Sequence, residues 1–297
     1  MAGRFAPSPS GDLHVGNLRT ALLAWLFARS SGRRFVLRVE DLDRVAAGAE
    51  QSQLDDLRAL GIDWDGPVVR QSECGGRHDL AIGQLVEQGR TFECFCTRRE
   101  ILEAPSAPHL PPGAYPGTCR DLTEAERAVR RAERPPALRL RADVTEWTVH
   151  DVLHGDFTGA VDDLVLRRGD GVVAYNLAVV VDDAAQDVDQ VVRGDDLLTS
   201  APRQAHLASL LGLPQPEYAH VPLALNADGR RLAKRDGAVT RIDLETLGVD
   251  VLAMILDSLH LPGPDATAAL RAFDPSALPR SAWIVIPPTR GAPPAGR

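Results

Sequence analysis

The chain has 297 residues, 44% hydrophobic and 25% charged, which is typical of a globular protein with room for about two domains. Its formal net charge of −8 excludes a protein that coats nucleic acid through bulk electrostatics, so any RNA contact must use local arginines. It contains no apolar run of about eighteen residues, no signal-peptide pattern and too few cysteines for a disulfide framework. We therefore expect a reduced, cytoplasmic protein without membrane attachment.

The stretch from residue 4 to residue 20, RFAPSPSGDLHVGNLRT, predicts a strand, a Pro/Gly loop and a helix. A glycine-bearing loop that leads into a helix presents backbone N–H groups and the positive end of the helix dipole to an anion. We therefore expect a phosphate site in which His14 and Asn17 flank Gly16, whose missing side chain lets a ligand approach the backbone.

The elements that follow predict a parallel α/β sheet. A strand over 33–39 ends in Glu40, and helices over 50–60 and 77–88 are each followed by glycine. Ligands bind at the carboxyl ends of strands in open α/β sheets, which makes Glu40 a candidate site residue.

The pattern changes after residue 90 and returns near Val172. Thr123 and Glu126 form a capping box for a helix over 124–134 within an insertion that contains short strands. The later predicted elements are an apolar, buried segment (175–181), a strand (191–193), a helix capped by Ser200 and followed by Gly212, a strand (220–225), a turn (226–229) and a helix marked by Leu252, Ile255, Leu256 and Leu259.

A basic turn, Arg231-Leu-Ala-Lys-Arg235, follows these elements. Lys234 is the only lysine among 33 basic residues, and a flexible point charge suits a phosphate group that moves during a reaction. An ordinary basic surface turn is the alternative.

The segment from His14 to Asn17 resembles the HIGH motif of class I aminoacyl-tRNA synthetases, and residues 38–43, RVEDLD, resemble their glutamyl branch. The turn 231–235 resembles the KMSKS loop, with arginine in place of the first lysine and alanine in place of serine. The resemblance covers residues 4–245. It implies an α/β fold: a Rossmann-like parallel sheet with an inserted zinc-bearing α+β region and a short helical C-terminal part. The implied domains are a catalytic domain (1–90 and 167–230), an RNA-binding insertion (91–166), a signature loop with a helical C-terminal region (231–286) and a disordered tail (287–297).

The implied reaction is adenylation of L-glutamate by ATP with Mg²⁺. The resemblance implies that ATP is held by His14, Gly16, Asn17, Lys234 and Arg235, of which His14 and Lys234 are catalytic. It implies glutamate contacts from Arg4, Phe5, Ala6, Pro7, Ser8, Glu40, Tyr175 and Arg193. Guanidinium groups suit carboxylates, and Glu40 suits an ammonium. Which of the two arginines binds which carboxylate of glutamate stays open. Tyr175 could instead belong to the core. Arg193 could instead pair with Asp195 or Asp196.

Cys94, Cys96 and Cys119 could supply three thiolates to one structural Zn²⁺. The resemblance implies Tyr115 as the fourth ligand, whereas His109 is the chemically more ordinary alternative. Cys74 lies outside this cluster and is expected to be a small buried hydrophobe.

About sixty residues follow Lys234, whereas full glutamyl-tRNA synthetases carry a further anticodon-binding domain. The chain therefore resembles the truncated paralogues that form the glutamyl-queuosine tRNA(Asp) synthetase family, which attach glutamate to the queuosine base in the anticodon of tRNA(Asp). We expect a monomer that binds the tRNA(Asp) anticodon stem-loop through arginines 98, 99, 127, 130, 131, 134, 139 and 141. The alternatives are a minimal glutamyl-tRNA synthetase that charges tRNA(Glu) and an inactive RNA-binding paralogue.

Overall fold

The structure is a computed structural model that describes residues 1–103, 114–232 and 239–286. Its strands are β1 (Ala2–Phe5), β2 (Arg34–Val39), β3 (Val69–Arg70), β4 (Thr91–Cys94), β5 (Ala137–Leu140), β6 (Glu146–Asp151), β7 (Gly155–Ala160), β8 (Val165–Arg167), β9 (Val188–Gly194), β10 (Glu217–Val221), β11 (Ala224–Leu225) and β12 (Trp283–Ile284). Its helices are α1 (Val15–Ser30), α2 (Ala49–Ala59), α3 (Gly75–Glu87), α4 (Arg98–Glu103), α5 (Glu124–Glu133), α6 (Tyr175–Ala185), α7 (Ala201–Leu211), α8 (Arg241–Thr246), α9 (Val251–Ser258) and α10 (Ala266–Ala272).

The described residues form two compact units. The first unit comprises Met1–Val69, Gln190–Leu197 and the described part of Ala219–Arg297, and the second comprises the described part of Arg70–Asp189 together with Leu198–Tyr218. The α/β class that the sequence predicts is confirmed. The predicted domain boundaries stay a prediction.

The first unit is built on strands in the order β2-β1-β9-β10. β1 and β2 run parallel, with Gly3 opposite Phe35 and Phe5 opposite Leu37. Every residue of β1 is buried, as expected for a parallel strand that is covered on both faces. A side chain at Gly3 would place its Cβ atom 2.7 Å from Cβ of Ala28, so α1 packs directly on this strand.

Helix α1 supplies much of the core of the first unit. Leu18, Leu22 and Leu26 are fully buried, and Trp25 is almost fully buried. A helix that is apolar on most of its faces is buried within its domain. Truncation of one of these leucines to alanine would cost about 2–5 kcal/mol, so α1 is a rigid base for the residues at its N-terminus.

The second unit combines an antiparallel sheet in the order β4-β5-β8 with the antiparallel hairpin β6–β7. Its core contains Leu85, Leu140, Leu166, Leu177 and Leu207, all fully buried. These leucines come from helices α3, α6 and α7 and from two strands of the sheet.

A buried polar cluster joins α6 to the start of α3. Nε2 of His78 lies 3.0 Å from Oδ1 of Asp182, and Nε2 of Gln71 donates to Oδ2 of Asp182 at 2.9 Å. Both oxygens of a fully buried carboxylate are thereby paired, as burial of a carboxylate requires. Asp182 therefore anchors helix α6.

Most predicted elements appear where the sequence places them. The strand 33–39 is β2, and the helices 50–60 and 77–88 are α2 and α3. The capping box is confirmed, because Thr123 Oγ1 accepts from the Glu126 N–H and the Glu126 carboxylate accepts from the Thr123 N–H.

Three local expectations are wrong. The strand expected over 220–225 is two strands, because Pro222 lies between them and has no N–H to donate. Ser200 precedes α7 but makes no capping hydrogen bond, since its backbone is already helical. Tyr175 begins helix α6 with an exposed side chain, although residues 175–181 were expected to be buried. The tail 287–297 lies outside the described residues.

Among the helices that the structure describes, none has the length and apolar composition that crossing a membrane requires.

Candidate active site

His14 caps helix α1 through its side chain. Its Nδ1 accepts a hydrogen bond from the Asn17 N–H at 3.2 Å, and Oδ1 of Asn17 accepts from the His14 N–H at 3.4 Å. Because Nδ1 is an acceptor here, the neutral imidazole carries its proton on Nε2. The ring therefore offers an Nε2–H donor beside a helix N-terminus, where the dipole favours negative charge.

Gly16 is required by packing around this cap. A side chain at Gly16 would place its Cβ atom 2.9 Å from Cβ of Ala224 and 3.1 Å from the imidazole of His14. We expected the missing side chain to make room for a ligand. In the structure, that room holds Ala224 of β11 and the capping ring itself.

The basic loop with Lys234 begins from β11. The Asn226 N–H donates to the Arg230 carbonyl at 2.8 Å, and Leu225 forms an antiparallel bridge with Arg231. These pairings close the predicted turn 226–229 and return the chain beside β11.

The far end of the same loop returns to the start of α1. The Val15 N–H donates to the Val239 carbonyl at 3.1 Å, and His14 forms an antiparallel bridge with Thr240. Lys234 and Arg235 lie outside the described residues.

Two buried arginines lie at the ends of neighbouring strands in the first unit. Arg4 of β1 donates through Nη1 to the Val192 carbonyl of β9 at 3.1 Å. Arg193 follows Val192 and donates through Nε to Nε2 of His220 at 3.0 Å and through Nη2 to the Leu197 carbonyl at 3.4 Å. The strand order therefore brings Arg4 beside Val192 and so next to Arg193, although Arg4 and Arg193 are 189 positions apart in the chain.

His220 was not identified from the sequence as a site residue. It is fully buried in β10, and because a guanidinium only donates, its Nε2 must be the acceptor. A histidine inside an otherwise apolar strand was the available signal.

Glu40 follows β2 and faces Arg38, a further buried arginine, which was not identified from the sequence. Oε1 of Glu40 lies 3.5 Å from Nη2 of Arg38, whose side chain has no exposed surface. The Glu40 N–H donates to the Pro7 carbonyl at 2.9 Å. The end of β2 thus holds the loop that carries Ala6, Pro7 and Ser8.

The predicted loop residues differ in exposure. Phe5 is buried at the end of β1, Ala6 and Pro7 are half-buried, and Ser8 is exposed. The Ser8 carbonyl accepts from Nε2 of Gln53 at 3.1 Å, which fixes the loop backbone from helix α2.

Tyr175 belongs to the second unit. Its side chain is 41% exposed at the first residue of α6, so the alternative that it is a core residue is wrong.

The three predicted thiol ligands of zinc lie close together in the second unit. Their Sγ atoms are all within 4.8 Å of one another, and those of Cys96 and Cys119 are 3.6 Å apart. A tetrahedral Zn²⁺ with Zn–S bonds of about 2.3 Å places sulfurs about 3.8 Å apart. The cluster therefore has the spacing that zinc requires.

Tyr115 reaches the same cluster. Its hydroxyl lies 3.4 Å from Sγ of Cys94 and accepts a hydrogen bond from the Cys119 N–H at 2.7 Å. His109 lies outside the described residues. The donor set therefore fits zinc with Tyr115 as an oxygen ligand.

The electrostatics of the cluster also favour a cation. Burial, together with the neighbouring Cys94 and Cys119, raises the pKa of the Cys96 thiol to about 12. Burial works in the same direction on Cys119, but hydrogen bonds led by the Phe95 N–H outweigh it and lower the pKa of that thiol. Buried thiols at this separation become thiolates together only when a positive ion compensates them.

Several arginines of the predicted RNA surface are already engaged. Arg139 is buried with its guanidinium 3.9 Å from the Tyr115 ring centroid, so it is not available to a phosphate. Arg131 is paired with Glu93 and Glu124. The exposed surface of Arg98 and Arg134 remains accessible.

A capped helix N-terminus beside a parallel sheet is an arrangement that suits a phosphate group. The sequence matches the family described as tRNA synthetases class I (E and Q), catalytic domain, over residues 1–270. The chain belongs to this family and is an aminoacyl ligase.

Two curated relatives match most of the chain. A protein of Nocardia farcinica named Glutamyl-Q tRNA(Asp) synthetase is 68% identical over 288 residues, covering 96% of this chain and 93% of that protein. A protein of Cutibacterium acnes with the same name is 55% identical, covering 88% of this chain and 76% of that protein.

A solved structure supports the fold. The glutamate tRNA ligase from Elizabethkingia meningosepticum, in complex with its amino acid, superposes with a TM-score of 0.79 at 25% identity. The match covers 97% of this chain and 67% of that chain.

Proposed function

We propose that this chain activates L-glutamate with ATP and transfers it to the queuosine base in the anticodon of tRNA(Asp). The observation that carries the proposal is the 68% identity to a protein named Glutamyl-Q tRNA(Asp) synthetase, over 93% of that protein.

Glutamate would bind at the strand ends of the first unit. Arg4 and Arg193 are buried donor-only groups that suit the two carboxylates, and Glu40 suits the ammonium. The backbone of residues 5–8 would complete this part of the site, and the resemblance adds Tyr175 as a candidate glutamate contact. The guanidiniums are held by the Val192 carbonyl and by His220, so little ordering would be needed when the substrate binds.

ATP would bind at the N-terminus of α1. The glutamate carboxylate attacks the α-phosphorus, and pyrophosphate leaves in line. His14 would donate through Nε2–H to a phosphate oxygen, with Gly16 and Asn17 forming the first turn. Lys234 and Arg235 would neutralise the leaving pyrophosphate, which Mg²⁺ accompanies. Catalysis of this kind consists of positioning and charge stabilisation.

Zinc would be held by Cys94, Cys96, Cys119 and Tyr115. Four protein ligands leave no open position, so its role would be structural. It would join the end of β4 to the segment that precedes α5, a region whose arginines are candidates for RNA contact.

The acceptor step requires a hydroxyl nucleophile. Queuosine carries a cyclopentene diol, which can attack the glutamyl-adenylate as a ribose hydroxyl would. The anticodon stem-loop would be gripped through its phosphates by the exposed arginines of the second unit.

The test is to supply labelled glutamate and ATP with three RNAs: tRNA(Asp) with queuosine, tRNA(Asp) with unmodified guanosine, and tRNA(Glu). We expect label only on the first. Label on tRNA(Glu), or equal label on both tRNA(Asp) samples, would favour a minimal glutamyl-tRNA synthetase. Failure to exchange pyrophosphate into ATP with glutamate would favour an inactive paralogue.

A further inference from the structure

Arg19 is a buried cation on helix α1, five residues after His14. Its side chain is almost fully buried, donates through Nη1 to the Pro222 carbonyl at 2.8 Å and donates through Nε to Oγ of Ser258 at 3.1 Å. Arg19 thus connects α1 with Pro222, two residues before β11, and with Ser258 at the end of α9.

β11 is held from another side by the C-terminal strand β12. The Trp283 N–H donates to the Leu223 carbonyl at 2.9 Å, and the Val285 N–H donates to the Leu225 carbonyl at 2.8 Å. The Arg19 guanidinium carbon also lies 6.0 Å from the Trp283 ring centroid. Arg19 therefore contacts Pro222, two residues before the strand from which the basic loop begins, and lies near Trp283 of the strand that pairs with it.

These contacts determine where the loop starts relative to His14. The loop leaves β11 at Asn226, three residues after Leu223, and returns to Val15 through the Val239 carbonyl. Its return is fixed by the first turn of α1, whereas its start is fixed by the packing of Ala224 on Gly16 and by Arg19. Arg19 adds a directional hydrogen bond to Pro222, two residues before β11, to the close packing of Ala224 on Gly16.

Burial of this guanidinium is unfavourable for the fold. It lowers the pKa of Arg19 to about 10, against the opposing influence of Asp195. Buried charges can often be replaced by apolar residues of similar volume without loss of stability. A buried cation with two directional hydrogen bonds contributes geometry that an apolar side chain cannot.

We propose that Arg19 is a positioning residue for ATP activation, which sets the start of the basic loop relative to the capping imidazole of His14. This inference rests on the proposed role of the loop in binding ATP, but not on the identity of the RNA acceptor.

The experiment compares Arg19→Met and Arg19→Lys with a matched control, Arg29→Met. Arg29 lies on the same helix, and its guanidinium pairs with Asp63 and Asp65, remote from β11. Glutamate-dependent ATP–pyrophosphate exchange is measured against both substrates, and thermal unfolding is measured in parallel.

We expect Arg19→Met to raise KM for ATP about tenfold or more and to leave KM for glutamate within about twofold. Arg19→Lys should recover part of the ATP affinity, because an ammonium can still donate to the Pro222 carbonyl. Arg29→Met should change neither KM. A merely structural role would lower the folded fraction without separating the two substrates.

An unchanged KM for ATP in folded Arg19→Met, or equal rises for ATP and glutamate, would overturn the proposal. If Arg19→Met does not fold, Ser258→Ala removes one acceptor of the guanidinium while leaving the charge in place. The proposal then requires a two- to fivefold rise in KM for ATP, and an unchanged value contradicts it. Absence of exchange in the unmodified protein would instead contradict the proposed function, and with it the basis of this inference.

Discussion

Arg193 and His220 form a buried pair in which the arginine dictates the state of the histidine. The guanidinium Nε only donates, so His220 must stay neutral with its proton on Nδ1. This hydrogen bond holds the guanidinium in one orientation.

Replacement of His220 tests this positioning. His220→Leu leaves the buried Nε–H of Arg193 without its acceptor, which costs about 1–3 kcal/mol. We expect KM for glutamate to rise about tenfold, whereas His220→Gln, which retains an acceptor, should lose less. Pyrophosphate-exchange kinetics at varied glutamate concentration measure this KM. Equal effects of His220→Leu and His220→Gln would show that only the packing of residue 220 matters.

The two buried arginines also predict substrate choice. Their donors match two oxygens of a carboxylate, whereas a glutamine amide presents an NH₂ group to one of them. We expect kcat/KM for glutamine to be lower by at least about a hundredfold, because a buried donor would face another donor. The same exchange assay with both amino acids measures the ratio. Comparable activity would refute the assignment of Arg4 and Arg193.

Lys234 is expected to act on the leaving pyrophosphate. Lys234→Ala should abolish exchange while changing the free energy of unfolding by no more than about 0.5 kcal/mol, since a polar loop residue buries little. Arg99→Ala, a change at an exposed helix residue, is the control for both measurements. A variant that exchanges normally, or one that is grossly unfolded, would contradict this role.

The sequence revealed residues whose neighbours in the chain formed a pattern and missed those whose partners are distant. His14 and Asn17 are three residues apart, and their pairing is local. Arg19 showed no local pattern. Arg19 is joined to Pro222 across 203 positions, and such contacts exist only once the strand order is known.

At the scale of elements, capping residues and glycines predicted helix boundaries well because these signals are local. Gly212 follows α7 in the left-handed conformation at φ 67°, as expected of a glycine at that position. Pro222 lies between β10 and β11, but the apolar run 220–225 led to the prediction of one continuous strand. The packing of Ala224 on Gly16 could not be predicted, because Ala224 is distant from Gly16 in the sequence.

The cysteine cluster is expected to bind zinc more weakly as the pH falls. Burial raises the pKa of the Cys96 thiol to about 12 from an ordinary 9.0, so the metal-free fold favours the neutral thiol. The protonated Cys96 thiol therefore stabilises the metal-free fold below pH 9, and this stabilisation is lost as the pH rises towards 12. Zinc binds thiolates, so it must displace protons, and its apparent affinity should fall about tenfold per pH unit for each proton displaced.

Chelator competition at pH 6 and pH 8 measures this dependence, and metal analysis gives the content of the purified protein, expected to be one Zn²⁺ per chain. Tyr115→Phe should weaken binding, whereas Cys74→Ala, outside the cluster, should not. If Tyr115→Phe binds zinc normally and His109→Ala does not, the fourth ligand is His109.

At the scale of the molecule, the sequence predicted the α/β class, and its domain boundaries stay a prediction. In the second compact unit, α3, α6 and α7 share one apolar core. Those three helices are far apart in the chain, and composition does not show which helices share a core.

The C-terminal strand β12 gives a further prediction at this scale. It pairs in parallel with β11, with Trp283 opposite Ala224 and Ile284 opposite Leu225. Strand β12 thus supports the start of the basic loop, which lies more than 40 residues earlier in the chain. A chain shortened to end at Arg280 loses both backbone hydrogen bonds to β11, whereas one that ends at Ile286 keeps them.

We expect the shorter chain to lose at least about tenfold in ATP–pyrophosphate exchange, equivalent to about 1.4 kcal/mol of transition-state stabilisation. The chain ending at Ile286 should retain full exchange. The helical signal in circular dichroism should be nearly the same for both, because the removed residues form no helix, although the buried Val285 is lost. Equal exchange by the two chains would show that β11 is held without β12. A collapse of the helical signal in the shorter chain would show instead that β12 stabilises the whole first unit, beyond the loop that it covers.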